Sequence, residues 1–335
     1  MTVLSKPPNN SKRDYPDIPS VPEALIRASS EGKLVVFVGA GVSRIVGCPS
    51  WKQFAYRVLQ YLYDTKCINF HEFKNLRQLN LRKLLSICKH IIFEKELNPR
   101  PNFREMLTPK EELLKKYKIY ENLYGWKAIY VTTNFDECLD KVARENKPPS
   151  LTLEAIELEK QTKIELEIPP KVIYSKEELL ISNLDQGNIL HLHGSIADET
   201  SLIITTSDYL KHYIAGAEPA VLLEKIFESH TVLFVGYGLE EYEILEYLVS
   251  NSKVSRIKGV LQHFMLYPMY NEEKNLFEFQ KKYYADLGIE LIPYPIGEYG
   301  YEHLNRVTEE WSKVIGPVAK PKDFYEKVKV IDEVI

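Results

Sequence analysis

The sequence predicts an α/β fold: a Rossmann-like, doubly wound and mostly parallel sheet that carries a helical insertion. The first observation is that two segments, 34–38 and 230–235 (the second apolar from Val232 onward), show none of the alternation of a half-exposed strand. Such runs are typical of strands buried on both faces. The second is that each run leads into a glycine turn, and that helical segments separate such runs along the chain. This alternation is typical of a parallel sheet.

The first strand and its turn organise the chain. The segment LVVFVGAGVS runs from Leu34 to Ser43, and Gly39 and Gly41 remove side chains where the backbone turns sharply. A strand, glycine turn and helix in this order often bind a nucleotide phosphate. The pattern departs from G-x-G-x-x-G because Arg44 follows Ser43 and the next glycine is Gly47. A plain strand-to-helix turn therefore stays open as the alternative.

Composition limits the classes of function. The chain has 335 residues and a formal net charge of −4, which argues against a broad electrostatic grip on nucleic acid. No apolar run reaches the roughly 20 residues that a membrane span needs. The cysteines are dispersed and form no C-x-x-C pair, so we expect no metal site, no disulfide framework and a cytoplasmic location; they are Cys48, Cys67, Cys88 and Cys138.

We divide the chain into a flexible tail over 1–20, one domain over 21–315 and a C-terminal extension over 316–335. A helical insertion at about 55–122 is rich in Leu, Lys and Glu, and we expect it to cover one edge of the sheet. An alternating segment at 164–168 predicts an exposed strand.

A second strand ends in polar residues. The segment AIYVT at 128–132 leads into Thr133, Asn134 and, two residues later, Asp136. Ligand groups in open α/β sheets lie at the carboxyl ends of strands, where these residues fall. Capping of the following helix by Asn134 and Asp136 explains the same pattern, and both interpretations stay open.

A third strand, at 189–193, carries His191 and His193 two residues apart, so we expect both on one face. No third ligand follows at a suitable spacing, and zinc is therefore not predicted. One histidine is interpreted as structural. The other, His193 beside Gly194, lies at a strand end where a general base can act.

The remaining elements close the domain. We predict a capped helix start at 205–209, a helix through 221–227, a strand at 262–267, a helix at 272–287, an edge strand at 289–294 and a last helix at 301–315.

Four motifs in this order and spacing, GAGVS, TTNFD, LHLHGS and FVGYGL, resemble those of the sirtuin family. The chain is most similar to the sirtuin-like domains of prokaryotic antiphage defence proteins, over about 32–315. This resemblance implies an NAD glycohydrolase (an NAD+ nucleosidase) that cleaves NAD to nicotinamide and ADP-ribose and so depletes NAD in abortive infection. NAD is then the substrate, and no metal is implied.

The resemblance also implies residue roles. Asn134 and Asp136 would face the nicotinamide ribose, and His193 would be the catalytic histidine. The residues implied in NAD binding are Gly39, Ala40, Gly41, Ser43, Thr133, Gly194, Gly236, Tyr237 and Gly238.

The chain also departs from the family pattern. It lacks the two cysteine pairs that hold a structural zinc in deacetylating sirtuins, and GCPSW at 47–51 replaces their G-I-P-D-F-R segment. Thr133 stands where sirtuins have glutamine. Glu240 and Glu241 follow the late glycine turn, where the defence-type domains commonly have an aspartate.

Two other functions remain open. One is protein deacylation, which uses the same residues; the other is a non-catalytic module that senses NAD or ADP-ribose. The resemblance further implies a homo-oligomer, or assembly with a defence protein such as a translocase ATPase. Neither a membrane nor nucleic acid is expected as a direct partner.

Overall fold

The computed structural model describes residues 15–146, 169–213, 217–238, 244–245, 247–248 and 263–316. Its sheet has seven strands in the order β3-β4-β2-β1-β5-β6-β7, and every neighbouring pair is parallel. The strands are β1 (Leu34–Val38), β2 (Ile129–Thr132), β3 (Val172–Ile173), β4 (Ile189–His191), β5 (Thr231–Val235), β6 (His263–Met269) and β7 (Ile289–Pro295). The predicted doubly wound, parallel α/β fold is confirmed.

Strand β1 lies at the centre of the sheet and is buried along its whole length. Val36 is level with Tyr130 of β2 on one side and with Leu233 of β5 on the other. Val36 belongs to the core on one face of the sheet, whereas Phe37 belongs to the core on the opposite face. Both faces of the strand are covered, which explains the unbroken apolar run.

The helices cover both faces and the carboxyl end of the sheet. They are α1 (Glu23–Ser30), α2 (Ala40–Ile45), α3 (Trp51–Asp64), α4 (Phe70–Leu76), α5 (Leu81–Glu94), α6 (Phe103–Leu107), α7 (Glu111–Lys116), α8 (Ile119–Tyr124), α9 (Cys138–Glu145), α10 (Thr206–Tyr213), α11 (Ala217–Ser229), α12 (Lys274–Asp286) and α13 (His303–Trp311). Among the residues described, no helix is long and apolar enough to span a bilayer.

The predicted helical insertion corresponds to most of α3 through α8. Its apolar core, which includes Phe54 and Leu84, packs on Phe135 after β2 and on Ile196 after β4. The insertion therefore lies over the loops at the carboxyl end of the sheet, a position that the prediction of a covered sheet edge did not specify.

The position of β1 creates a topological switch point. The chain passes from β1 to β2 on one side, and later returns to place β5 on the other side of β1. The crevice outside the carboxyl ends of strands at such a point is where open α/β sheets bind ligands. The four sequence motifs follow β1, β2, β4 and β5, which are neighbours in the sheet, so all four meet at this end.

Two further predictions concern residues at or beyond the limits of the described chain. The strand predicted at 164–168 lies outside the described residues, as does the extension after residue 316.

The edge position of β7 agrees with the prediction. The boundaries of the tail, the domain and the extension stay predictions.

Candidate active site

The two glycine turns at the switch point interlock. Gly39 N–H donates to Val235 O at 2.9 Å, and Gly41 N–H donates to Gly236 O at 2.7 Å. A Cβ atom on Gly39 would lie 2.4 Å from Gly236 O, and one on Gly41 would lie 2.7 Å from the same oxygen. Gly236 has φ +62°, and a Cβ there would lie 2.6 Å from Val42 N. These glycines therefore allow two backbones to touch, which is a structural need separate from the approach of a ligand.

Asn134 lies beside this interlock, in the loop after β2. Its Nδ2 donates to Gly39 O at 3.0 Å, and its backbone N–H donates to Thr132 Oγ1 at 3.0 Å. Thr132 Oγ1 in turn donates to Val38 O at 2.8 Å, which joins the ends of β1 and β2. The side chain is half-buried, and its Oδ1 has no hydrogen-bond partner among the described residues. The arrangement leaves one amide oxygen available as an acceptor at the switch point.

The carboxylate of Asp136 joins the same loop to α2. It accepts from Ser43 Oγ at 2.6 Å, from Tyr120 Oη at 3.3 Å and from Cys138 N–H at 3.1 Å. Tyr120 Oη also donates to Ser43 Oγ at 3.0 Å. Burial, followed by the Asp136 charge, holds the pKa of Tyr120 well above its usual range, so the phenol keeps its proton. Asp136 thus accepts from the first N–H of α9, which agrees with the capping interpretation for Asp136 but not for Asn134, whose side chain binds Gly39 O. The same carboxylate also links two motifs.

Asp136 and two thiols are grouped closely enough, among the described residues, to be considered as metal ligands. The ligand atoms of Cys48, Asp136 and Cys138 all lie within 4.8 Å of one another, and all three residues are buried. Proximity of Cys48, burial and Asp136 together raise the pKa of Cys138 far above its usual value, which disfavours the thiolate. Both Asp136 oxygens already have protein donors. The carboxylate is therefore satisfied by protein donors without a metal ion. That the chain binds no metal stays a prediction.

His191 and His193 do not share a strand face, contrary to the sequence expectation. Strand β4 ends at His191, and the chain turns at Leu192 and His193, with Gly194 N–H donating to His191 O at 3.3 Å. Gly194 has φ +78°, and a Cβ there would lie 2.2 Å from Ser201 O. This left-handed glycine redirects the chain, and the two imidazoles consequently contact different helices.

His191 contacts α9. Its Nε2 lies 2.8 Å from Asp140 Oδ1 and its Nδ1 lies 3.0 Å from Asn134 O. Both His191 and Asp140 are fully enclosed by protein. His191 thus joins α9 to the loop after β2.

His193 contacts α10. Its Nε2 lies 2.8 Å from Tyr213 Oη, and its Nδ1 lies 3.4 Å from Tyr209 Oη. Burial, with smaller contributions from His212 and Arg82, lowers the pKa of His193 well below its usual value. The ring is therefore neutral at pH 7, as a general base must be. It is also only 2% exposed.

The helix that covers His193 is attached to the helical insertion. Asp208 of α10 forms an ion pair with Lys89 of α5 at 3.3 Å, and Thr206 N–H donates to Ser86 Oγ at 3.0 Å. The guanidinium of Arg82, also on α5, lies 3.7 Å from the centre of the Tyr209 ring. A displacement of the insertion would thus be transmitted to the cover over His193.

The remaining residues named from the sequence lie at the same end of the sheet. Ala40 and Gly238 are exposed, whereas Thr133 and Tyr237 are half-buried. The Tyr237 ring packs on Phe37, with ring centres 5.0 Å apart. Glu240 and Glu241 lie outside the described residues.

Sequence reasoning missed several partners of these residues: Arg82, Tyr120, Asp140, Tyr209 and Tyr213. The four-residue spacing of the two α10 tyrosines places them on one helix face, but nothing in the sequence pairs that face with a histidine on another loop. Arg82, Tyr120 and Asp140 lie on helices, where an isolated polar residue is normally interpreted as solvent-exposed.

Comparison with known proteins gives two matches. The sequence model of the SIR2-like domain family matches residues 128–292, a span that begins just before β2 and omits the first glycine turn. The protein named Defense-associated sirtuin 2, from Bacillus subtilis, is 24% identical over 226 residues, which cover 66% of this chain and 19% of that protein. The chain thus spans about a fifth of the length of that relative.

Proposed function

We propose that the chain is an NAD glycohydrolase acting in antiphage defence, because residues 128–292 match the SIR2-like domain family and the chain is similar to part of a defence-associated sirtuin. NAD is the substrate, and the products are nicotinamide and ADP-ribose. The observation that supports this best is the position of Asn134: half-buried beside two interlocked glycine turns at the switch point, with its Oδ1 available as an acceptor.

The reaction breaks the bond between nicotinamide and the ribose, through a transition state with oxocarbenium character. Such a reaction needs a positioned water and an environment that stabilises positive charge on the sugar. Asn134 Oδ1 is suited to orient either that water or a ribose hydroxyl. The neutral imidazole of His193 is suited to take a proton from the water or from a ribose hydroxyl.

The described arrangement corresponds to a resting state. His193 is covered and both of its ring nitrogens face tyrosine hydroxyls. A substrate reaches the base only after α10 shifts, and α10 is tied to α5 of the insertion. An NAD hydrolase that remained active without a signal would exhaust the NAD of its own cell, so a covered base fits a gated enzyme.

The test compares Asn134→Asp and His193→Gln with the unchanged chain, using free nicotinamide as the readout. Loss of general-base or water-orienting help is worth about 100- to 10,000-fold, so each variant should lose at least 100-fold. His303→Gln is the matched control, because His303 is equally buried but lies on α13. Variants that fold normally and keep full activity would refute the assignment.

We propose in addition that assembly opens the site, as a homo-oligomer or with a second defence protein such as a translocase ATPase. A gate of about 10,000-fold needs a bias of about 5.5 kcal/mol between the two states, within reach of a standard interface.

The check is light scattering with activity measured in parallel, for the full chain and for a truncation after Gly316. Activity that rises with oligomer content would support the gate. A monomer whose full activity does not depend on concentration, in both forms, would exclude it.

The cover over His193 also favours one alternative, a non-catalytic sensor of NAD or ADP-ribose. A sensor would bind NAD without releasing nicotinamide, and the same assay separates the two.

A further inference from the structure

His191 and Asp140 form a buried pair that the proposed mechanism does not use. His191 is 1% exposed and Asp140 is 0% exposed. The imidazole bridges two elements: its Nε2 lies 2.8 Å from Asp140 Oδ1 on α9, and its Nδ1 lies 3.0 Å from the backbone oxygen of Asn134.

Both partners of this imidazole accept hydrogen bonds. A backbone carbonyl has no proton to give, and an ionised carboxylate only accepts. A neutral imidazole donates through one nitrogen only, so either tautomer would direct a lone pair at an acceptor about 3 Å away. The two contacts therefore require a proton on Nδ1 and a second proton between Nε2 and Oδ1. Imidazole is the more basic group, so that second proton belongs on the ring.

The surroundings of His191 agree with this proton count. Burial by itself lowers its pKa, but the charge of Asp140 and the hydrogen bonds to Asp140 and Asn134 outweigh burial, and the net pKa is raised. The carboxylate of Asp136 raises the pKa of His191 further.

We propose that His191, protonated on both ring nitrogens and held by Asp140, is a positioning residue for Asn134. The backbone N–H and the side chain of Asn134 are bound to the ends of β1 and β2, and His191 fixes its third group, the carbonyl, from the side of β4. The effect on turnover rests on the proposed NAD cleavage, whereas the protonation of the pair does not.

The chain contains a matched control. His303 is likewise 1% exposed, and its Nδ1 lies 2.6 Å from the backbone oxygen of Pro295. Its Nε2, however, has no hydrogen-bond partner among the described residues. His303 thus shares the carbonyl contact and lacks the carboxylate, so it needs only one ring proton.

The first experiment counts ring protons by NMR on the full chain with ¹⁵N-labelled histidine at pH 7. His191→Gln and His303→Gln assign the two rings by loss of signal. We expect two N–H signals for His191, protected from exchange, and one for His303. In Asp140→Asn the His191 ring should lose its second proton at a lower pH than in the unchanged chain. A single N–H on His191 at pH 7 would overturn the proposal, whether or not the protein cleaves NAD.

The second experiment measures steady-state NAD cleavage under activating conditions. A misplacement of about 1 Å costs up to roughly 100-fold in turnover, so His191→Gln should lower kcat by about 10- to 100-fold and change KM by less than about threefold. His303→Gln should stay within about twofold. In Asp140→Asn, kcat should fall on the alkaline side at a lower pH than in the unchanged chain, because the ring proton is lost earlier.

Three outcomes would contradict either the positioning role of His191 or the proposed function on which it rests. A folded His191→Gln protein with unchanged kcat overturns the positioning role. If His191→Gln fails to fold, an Asp140→Asn protein with an unchanged pH profile overturns it. An unchanged chain that never releases nicotinamide refutes the proposed function instead, and the NMR result still decides the protonation of the pair.

Discussion

Replacing Gly41 by alanine tests the interlock of the two glycine turns. The new Cβ would lie 2.7 Å from Gly236 O, 2.9 Å from Gly236 Cα and 3.1 Å from Gly236 C. These are backbone atoms at the end of a central strand, so relief to an ordinary contact of 3.4 Å needs a backbone shift of roughly 0.7 Å. Overpacking of this kind costs about 1–3 kcal/mol. Each kcal/mol lowers Tm by about 2–4 °C in a domain of 150–250 residues, and somewhat less in this larger one.

Thermal unfolding with and without NAD is the assay. We expect Gly41→Ala to lower Tm by several degrees and to lose the rise in Tm that bound NAD gives, because the turn can no longer close against Gly236. Gly297→Ala is the control, since its Cβ would meet nothing closer than Tyr270 Cδ1 at 4.0 Å; its effect should stay within about 0.5 kcal/mol. If Gly41→Ala and Gly297→Ala unfold at the same temperature, a glycine at position 41 is not needed for packing against Gly236.

Three further predictions concern stability, metal content and the polar network. Burial lowers the pKa of His263 to about 4, and its Nδ1 accepts from Val232 N–H; the unfolded state, with a pKa near 6.5, therefore takes up a proton first as pH falls. Neutral His263 should therefore contribute on the order of 3 kcal/mol to the free energy of unfolding above about pH 6.5, and this contribution is lost as the pH falls toward 4. In His263→Gln, the free energy of unfolding measured with urea should depend less steeply on pH over that range. An equally steep dependence in the variant would contradict this. Elemental analysis of the purified chain should find no tightly held zinc. If it finds one equivalent of zinc per chain, and Cys138→Ser removes that zinc, then Cys48, Asp136 and Cys138 bind a metal. Tyr120→Phe removes two hydrogen bonds to Ser43 and Asp136 and should lower stability by about 1–3 kcal/mol, measured by denaturant unfolding; an unchanged midpoint would show that the network is not stabilising.

The central strands were predictable because the pattern that identifies them lies within a few consecutive residues. Five consecutive apolar residues at Leu34–Val38 suit only a position covered on both faces, and the following glycines mark the turn. The carboxyl ends of parallel strands then meet at one edge, which places the loops after β1, β2, β4 and β5 together without further information.

The turn at His193 was not predictable in the same way. LHLHGS alternates apolar and polar residues as a strand does, and only the left-handed backbone of Gly194 shows that the chain leaves the sheet after His191. The resulting separation of the two histidines decides which one contacts Asp140 and which one contacts Tyr213.

Contacts between distant segments also lay beyond the sequence. The sequence indicates that another group approaches the backbone at Gly39 and Gly41. It does not indicate that this group is the backbone of Gly236. Cys48 and Cys138 are far apart in the chain and meet only because the loops after β1 and β2 are neighbours. Such proximity depends on strand order, which no local pattern records.

The most direct test of the account is to incubate the purified full chain with NAD and to measure free nicotinamide, with and without an acetylated peptide, across a range of protein concentrations. We predict release of nicotinamide and ADP-ribose that needs no peptide and is lost in Asn134→Asp and His193→Gln. Release only in the presence of the peptide would indicate a deacylase. Binding of NAD with no release at any concentration, or in the presence of an activating partner, would contradict the proposed hydrolase.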